Sequence, residues 1–280
     1  MVVITNSSAL ISFLEKVKTR NQKIGFIPTM GALHEGHFSL MESSLQKGCF
    51  SIVSIFINPV QFNDIEDFKK YPKSVSSDLQ HLNNLNIPCV YLPEITEVYP
   101  NGMKNLENYD LKSLETVFEG AHRPGHFQGV CQVLSRLFKL IEPDFVFMGQ
   151  KDYQQCMVVQ KLIEIENMDI KLDICPTVRE NSGLAKSSRN LRLSEEEKRK
   201  AASLYKNMQF IRENLQKGNE NELIHRALED LKKHDFIMEY LSFADAKTLE
   251  PVKLWNGKDR LVLLAAGKMG EVRLIDNLIM

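Results

Sequence analysis

The run Ile24-Gly25-Phe26-Ile27-Pro28-Thr29-Met30-Gly31-Ala32-Leu33-His34-Glu35-Gly36-His37 constrains the fold more than any other stretch of this chain. Ile24, Phe26 and Ile27 are strand formers, and Pro28, with no N–H to donate, stops the ladder. Gly31 and Gly36 bracket a tight turn, where a backbone without Cβ reaches positive φ and approaches a ligand closely. Beyond His37, Leu40, Met41, Ser44 and Leu45 fall at helical spacing. The stretch therefore reads as a buried strand, a turn and a helix, with His34 and His37 at the helix N-terminus. Unpaired N–H groups and the positive end of the dipole favour an anion there, typically phosphate.

Three known motifs come near this stretch and fail. Gly31-x4-Gly36 has P-loop spacing, but His37-Phe38 stands where Lys-Ser/Thr is required, and no GxGxxG is present. His34 and His37 are at i and i+3, not the i and i+4 of a zinc-protease helix. A single histidine at a helix start is most simply a cap. Two of them with glycines between strand and helix point instead to imidazoles donating hydrogen bonds to bound phosphate.

Further strand-helix alternation follows. Apolar strands are expected at Cys49–Ile57, Pro88–Leu92, Phe145–Met148 and Ile170–Cys175, and helices at Ser74–Leu85, His126–Ile141 and Tyr153–Asn167. A helix carrying Leu10, Phe13, Leu14 and Val17 precedes the first strand. This pattern predicts an α/β fold, a Rossmann-like open parallel sheet with helices on both faces and right-handed crossovers. Ligands in that architecture bind outside the carboxyl ends of the strands.

After Arg192 the pattern changes. Ser194-x-x-Glu197 is a capping box, opening a helix closed by Gly218. A helix at Glu222–Lys233 and strands at Phe236–Phe243, Leu261–Ala266 and Val272–Ile275 complete a smaller C-terminal α+β domain. The expected division is residues 1–183 and 184–280.

At 280 residues the chain is long enough to bury a full core, and its formal net charge of -1 gives no electrostatic reason to expect nucleic acid or membrane as a partner. Five scattered cysteines without a CxxC pair read as reduced core residues, and no signal peptide or transmembrane segment is indicated, so a cytoplasmic protein is expected.

Short polar clusters stand where the strands end. Gln61, after the second strand, is either a turn cap or a reader of a hydroxyl and a carboxylate together. Gly149-Gln150-Lys151-Asp152 follows the fourth strand. Lys151 at a helix start opposes the dipole, so an anionic ligand explains it better. Asp152 is either a Mg2+ ligand or a helix cap. After the fifth strand, Lys186 and Arg189 flank Ser187 and Ser188, giving either a plain surface loop or a second phosphate clamp. Arg123-Pro124-Gly125-His126 supplies anion contacts or stiffens a turn.

Pro28-Thr29-Met30-Gly31-x-Leu33-His34-x-Gly36-His37 resembles the HxGH signature of the pantothenate synthetase family. Phe56-x-Asn58-Pro59-x-Gln61-Phe62, Arg123-Pro124-Gly125-His126-Phe127, Lys151-Asp152-Tyr153-Gln154-Gln155, Ser187-Ser188-Arg189-Asn190 and Arg273-Leu274-Ile275-Asp276-Asn277 are similar to it too, in order, over nearly the whole chain. That family belongs to the nucleotidyltransferase superfamily that includes class I aminoacyl-tRNA synthetases.

The resemblance implies an ATP-dependent ligase that joins (R)-pantoate to β-alanine through pantoyl adenylate, releasing AMP and pyrophosphate. It implies that Met30, Gly31, Ala32, Leu33, His34, Glu35, Gly36 and His37 line ATP, with His37 as proton donor and His34 on phosphate. Gly149, Gln150, Lys151, Asp152, Val178, Lys186, Ser187, Ser188 and Arg189 complete the nucleotide site. Gln61 meets pantoate and β-alanine, and Gln155 holds pantoate. ATP as substrate, Mg2+ and a homodimer come with it. Lys186 and Gln150 depart from the residues usual at their positions. Two other readings compete: a nucleotidyltransferase with no ligation step, and a non-catalytic nucleotide sensor.

Overall fold

The computed structural model describes residues 1–62, 68, 69 and 71–280. Six parallel strands form the main sheet: β1 (Val2–Ile4), β2 (Ile24–Thr29), β3 (Phe50–Ile55), β4 (Cys89–Tyr91), β5 (Phe145–Gly149) and β6 (Lys171–Cys175). Their order across the sheet is β1-β4-β3-β2-β5-β6. The expected open parallel sheet is present, with one strand more than anticipated. Val2–Ile4 has three residues, too few to establish a period, and pairs with β4 only at the sheet edge.

Helices cover the sheet, the longer ones each burying an apolar stripe. Helix α1 (Ser7–Lys18) leads into β2, and α2 (Glu35–Gln46) leaves it; α3 (Val75–Asn84) precedes β4, and α4 (Ile95–Val98) follows. Beyond α5 (Phe118–His122) comes α6 (His126–Ile141), which buries Val130, Val133, Leu134, Leu137, Phe138 and Ile141 as its periodicity predicts. The next helix, α7 (Tyr153–Ile165), links β5 to β6. Among the described residues, no helix is long and apolar enough to cross a membrane.

The last third holds α8 (Glu195–Asn214), α9 (Glu220–Lys233) and an antiparallel sheet of β7 (Phe236–Asp245), β8 (Leu261–Met269) and β9 (Val272–Ile279). Ser194 and Glu197 form the capping box read from the sequence. The helix ends earlier than expected, at Asn214 and not at Gly218. Asn219 stops it: its side chain donates to the Asn214 carbonyl (3.0 Å) and accepts from the Gln216 N–H (2.9 Å). One face of the small sheet packs with α8 and α9 around Leu204, Met208, Leu231 and Phe243. On the other side, Ala244, Val262 and Leu264 join the core that contains Phe26, Phe138 and Val146 of the main sheet.

Candidate active site

Strands β2 and β5 are neighbours, yet the chain leaves them in opposite directions, toward β3 and β4 from one and toward β6 from the other. Loops diverging from such a reversal leave a crevice at the carboxyl ends of the strands. A cavity of about 240 Å3 opens there. Met30, His34, Gly36 and His37 enter its wall from the tip of β2, and Gly149, Lys151, Asp152 and Gln155 from the tip of β5. Gln61 comes from the turn after β3, and Val178, Lys186, Ser187 and Arg189 from the loop after β6.

The two histidines are tied to one another. His34 caps α2 and accepts the Gly36 N–H on Nδ1 (3.1 Å), while His37 accepts the His34 N–H on its own Nδ1 (3.3 Å). The ring centroids lie 4.1 Å apart. With both Nδ1 atoms accepting, each neutral ring carries its proton on Nε2 and keeps that donor for another partner. Gly36 is needed for close approach, since a Cβ there would stand 2.9 Å from His34 Cε1. It lies inside the first helical turn; the positive φ expected of it falls on Gly31 (+81°) and Ala32 (+51°).

Burial lowers the His34 pKa to about 4, helped by the Lys151 cation. His37 is lowered to about 3, first by burial, then by His34 and Lys151. Both imidazoles are therefore neutral hydrogen-bond donors at pH 7.

Several expected nucleotide contacts are turned elsewhere. Asp78, almost fully buried, accepts the N–H groups of Ala32 (3.0 Å) and Leu33 (2.9 Å) and the Ser74 hydroxyl (3.1 Å). A carboxylate of the chain thus fills the anion nest of this turn. Glu35 pairs with Lys186 at 3.5 Å. Gln150 donates to Asn277 (3.2 Å). Gly31, Ala32, Leu33, Glu35, Gln150 and Ser188 are not on the cavity wall.

Gln61 is held from both ends. Its Nε2 donates to Met30 Sδ (3.0 Å), and its Oε1 accepts from Asn58 (3.2 Å). Buried Asn58 is itself fixed by the Tyr99 hydroxyl (2.8 Å) and the Gly129 carbonyl (3.0 Å). The backbone carbonyl of Gln61 accepts from His126 Nδ1 (2.8 Å), whose Nε2 accepts from Arg123 Nη1 (2.9 Å). Only a neutral imidazole makes both bonds. Arg123 and His126 also line the cavity, which favours anion contacts over a mere stiffening of the turn for the Arg-Pro-Gly-His segment; the nucleotide and substrate residues that the resemblance implies do not include them. Burial, with the Arg189 charge, lowers the Arg123 pKa to about 10.

Burial and Arg123 lower His126 to about 4. A histidine whose folded pKa lies below its unfolded value binds fewer protons when folded, so stability is lost as pH falls from about 6.5 to about 4. The expected contribution is on the order of 3 kcal/mol. Chemical denaturation at pH 7 and pH 4.5 checks it: His126→Gln should lose less stability over that interval than the parent chain, and an identical loss would refute the assignment.

The family described as Pantoate-beta-alanine ligase matches residues 2–279. The pantothenate synthetase of Azobacteroides pseudotrichonymphae is 40% identical over 283 residues, covering 99% of each chain. The crystal structure of pantothenate synthetase from Thermus thermophilus superposes with a TM-score of 0.89 at 35% identity, covering 99% of both chains. That of the pantoate–β-alanine ligase from Francisella tularensis, complexed with β-γ ATP and β-alanine, gives 0.82 at 33% identity, covering 100% of this chain and 97% of that one. With a match that runs from one end to the other and five of the six motifs meeting on one cavity, the chain belongs to the pantoate–β-alanine ligase family.

Proposed function

We propose that the chain condenses (R)-pantoate with β-alanine, driven by cleavage of ATP. The pantoate carboxylate attacks the α-phosphorus and the bond to pyrophosphate breaks, leaving pantoyl adenylate. The β-alanine amine then attacks the acyl carbon, and AMP leaves as the amide bond of pantothenate forms. The observation that carries this reading is the meeting of His34, His37, Lys151, Lys186 and Arg189, from three separate loops, on one cavity with Gln61 and Gln155.

In this reading Lys151, Lys186 and Arg189 bind phosphate oxygens, and His34 and His37 donate to them from Nε2. Met30, Gly36, Gly149, Val178 and Ser187 shape the nucleotide site. Gly31 to Leu33, Glu35, Gln150 and Ser188 flank it, while Gln61 and Gln155 hold pantoate, Gln61 also facing β-alanine. The neutrality of His37 makes it a hydrogen-bond donor to the triphosphate before any proton moves. Mg2+ offsets phosphate charge when bound. Among the described residues no group of three or more His, Cys, Asp or Glu side chains is placed to hold a metal ion, which suits an ion held mainly by phosphate and water with Asp152 as a single carboxylate. We assign residues 184–280 to a lid domain over residues 1–183, and the enzyme to the cytoplasm as a homodimer. Five free, buried cysteines suit a reducing compartment.

Following AMP from ATP while each substrate is omitted in turn tests the activity. AMP is expected only with pantoate and β-alanine together at steady state; AMP formation independent of either would refute the ligase reading. Gly129→Ala tests the pantoate wall. A Cβ there would stand 2.7 Å from Gln61 Cα and from the Val60 carbonyl, so α6 must push the Gln61 turn outward. The KM for pantoate should rise by at least roughly tenfold, in line with a displacement near 1 Å. An unchanged KM would remove Gln61 from pantoate binding.

A further inference from the structure

One strand of the small sheet touches both loops that bring cations to the cavity. Asp276 and Asn277 are consecutive on β9, 4% and 1% exposed, and strand alternation sends their side chains to opposite faces. Asp276 receives both guanidinium ends of Arg179, at 2.6 and 2.9 Å. Arg179 also donates to the Gly183 carbonyl (3.1 Å) and lies 3.6 Å from the centre of the Tyr205 ring. Backbone bonds from Glu180 to Leu184 and from Lys186 to Val178 make this segment a hairpin that delivers Lys186 and Arg189. On the other face, Asn277 donates to the carbonyls of Gln150 (2.8 Å) and Lys151 (2.9 Å).

Neither Asp276 nor Asn277 is on the cavity wall. A buried bidentate ion pair is a poor way to gain stability, because apolar residues of similar volume commonly do as well. Geometry is what the arrangement supplies: one peptide unit joins the anchor of the Lys151 turn to the anchor of the Lys186–Arg189 loop.

We propose that Asp276 and Asn277 are positioning residues, through which β9 sets the separation of Lys151 from Lys186 and Arg189 across the nucleotide. The proposal rests on the ATP-dependent reading above and adds the device that holds its two cation loops in register. Because Asn277 acts through the Lys151 turn, its loss matters only while Lys151 is present.

The test is a double-mutant cycle. Asn277→Ala should lower kcat by roughly 10²-fold, as a displacement near 1 Å does, with the KM for β-alanine unchanged. In a Lys151→Ala background the same substitution should cost little further. A full additive loss in that background, or an unchanged kcat in Asn277→Ala, would overturn the proposal. Should Asn277→Ala fail to fold, Asn277→Leu, which keeps the branched shape and loses both donors without burying a charge, takes its place with the same expectations. ATP affinity measured by calorimetry separates this proposal from the functional reading. If the parent chain forms no AMP, the ligase reading falls. A weakened ATP affinity in the Asn277 variant then supports the positioning role, and an equal affinity overturns it.

Discussion

Lys151→Ala is expected to lower turnover by roughly two to three orders of magnitude, about 3 kcal/mol of transition-state stabilisation. A carboxylate approaching a triphosphate meets like charge, and more charge gathers on the phosphoryl oxygens as pyrophosphate departs. Lys151 stands on the cavity wall at the tip of β5, and its ammonium has no carboxylate partner among the described residues. Its charge is therefore available to the ligand rather than neutralised inside the protein. Since that charge is worth most as the leaving group forms, kcat and kcat/KM should fall together. A second consequence is electrostatic. Lys151 helps hold His34 and His37 neutral, so removing it should raise both histidine pKa values, measurable by NMR titration. Near-normal turnover in Lys151→Ala would take this residue out of the mechanism.

His37→Ala should cost roughly 10²-fold in turnover, the loss typical of one preorganised donor. The His37 ring also accepts the His34 N–H, so alanine leaves that N–H unpaired and frees the neighbouring imidazole to move. The pH profile separates donor from acid. In the free enzyme His37 is pushed down to about 3, so no ionisation of this residue falls between pH 5 and 8. Profiles of kcat/KM for the parent chain and His37→Ala should have the same shape over that range, offset vertically. A step near pH 6.5 that disappears in the variant would show an imidazolium at work and contradict the neutral-donor account.

Much of this arrangement is legible without coordinates, for reasons that can be stated residue by residue. The bounds of α6 follow from apolar residues at 3.6-residue spacing, and the start of α8 from Ser194 and Glu197. Placing His34 and His37 at a helix start needs only the strand before them and the apolar stripe after them. What stays hidden depends on contacts between distant segments. Asp78 lies 45 and 46 positions from the N–H groups it accepts, inside a helix whose sequence pattern says nothing about a turn near Leu33. The grip of His126 on the Gln61 carbonyl spans 65 positions, and that of Asn277 on the Lys151 turn spans 126. Charge alone marks Lys186 and Arg189 as a clamp; the hairpin that carries them is anchored where Arg179 meets Asp276 across 97 positions. Gly36 reads from sequence as a source of positive φ, whereas its role is to make room for the His34 ring.

Isotope exchange between labelled pyrophosphate and ATP tests the convergence on one triphosphate most directly. If cations and imidazoles from separate strand tips assemble pantoyl adenylate, exchange will require pantoate, proceed without β-alanine, and fall in Lys151→Ala by the same factor as overall turnover. Exchange that needs β-alanine, or that persists unchanged in Lys151→Ala, would contradict an adenylate made at this cavity.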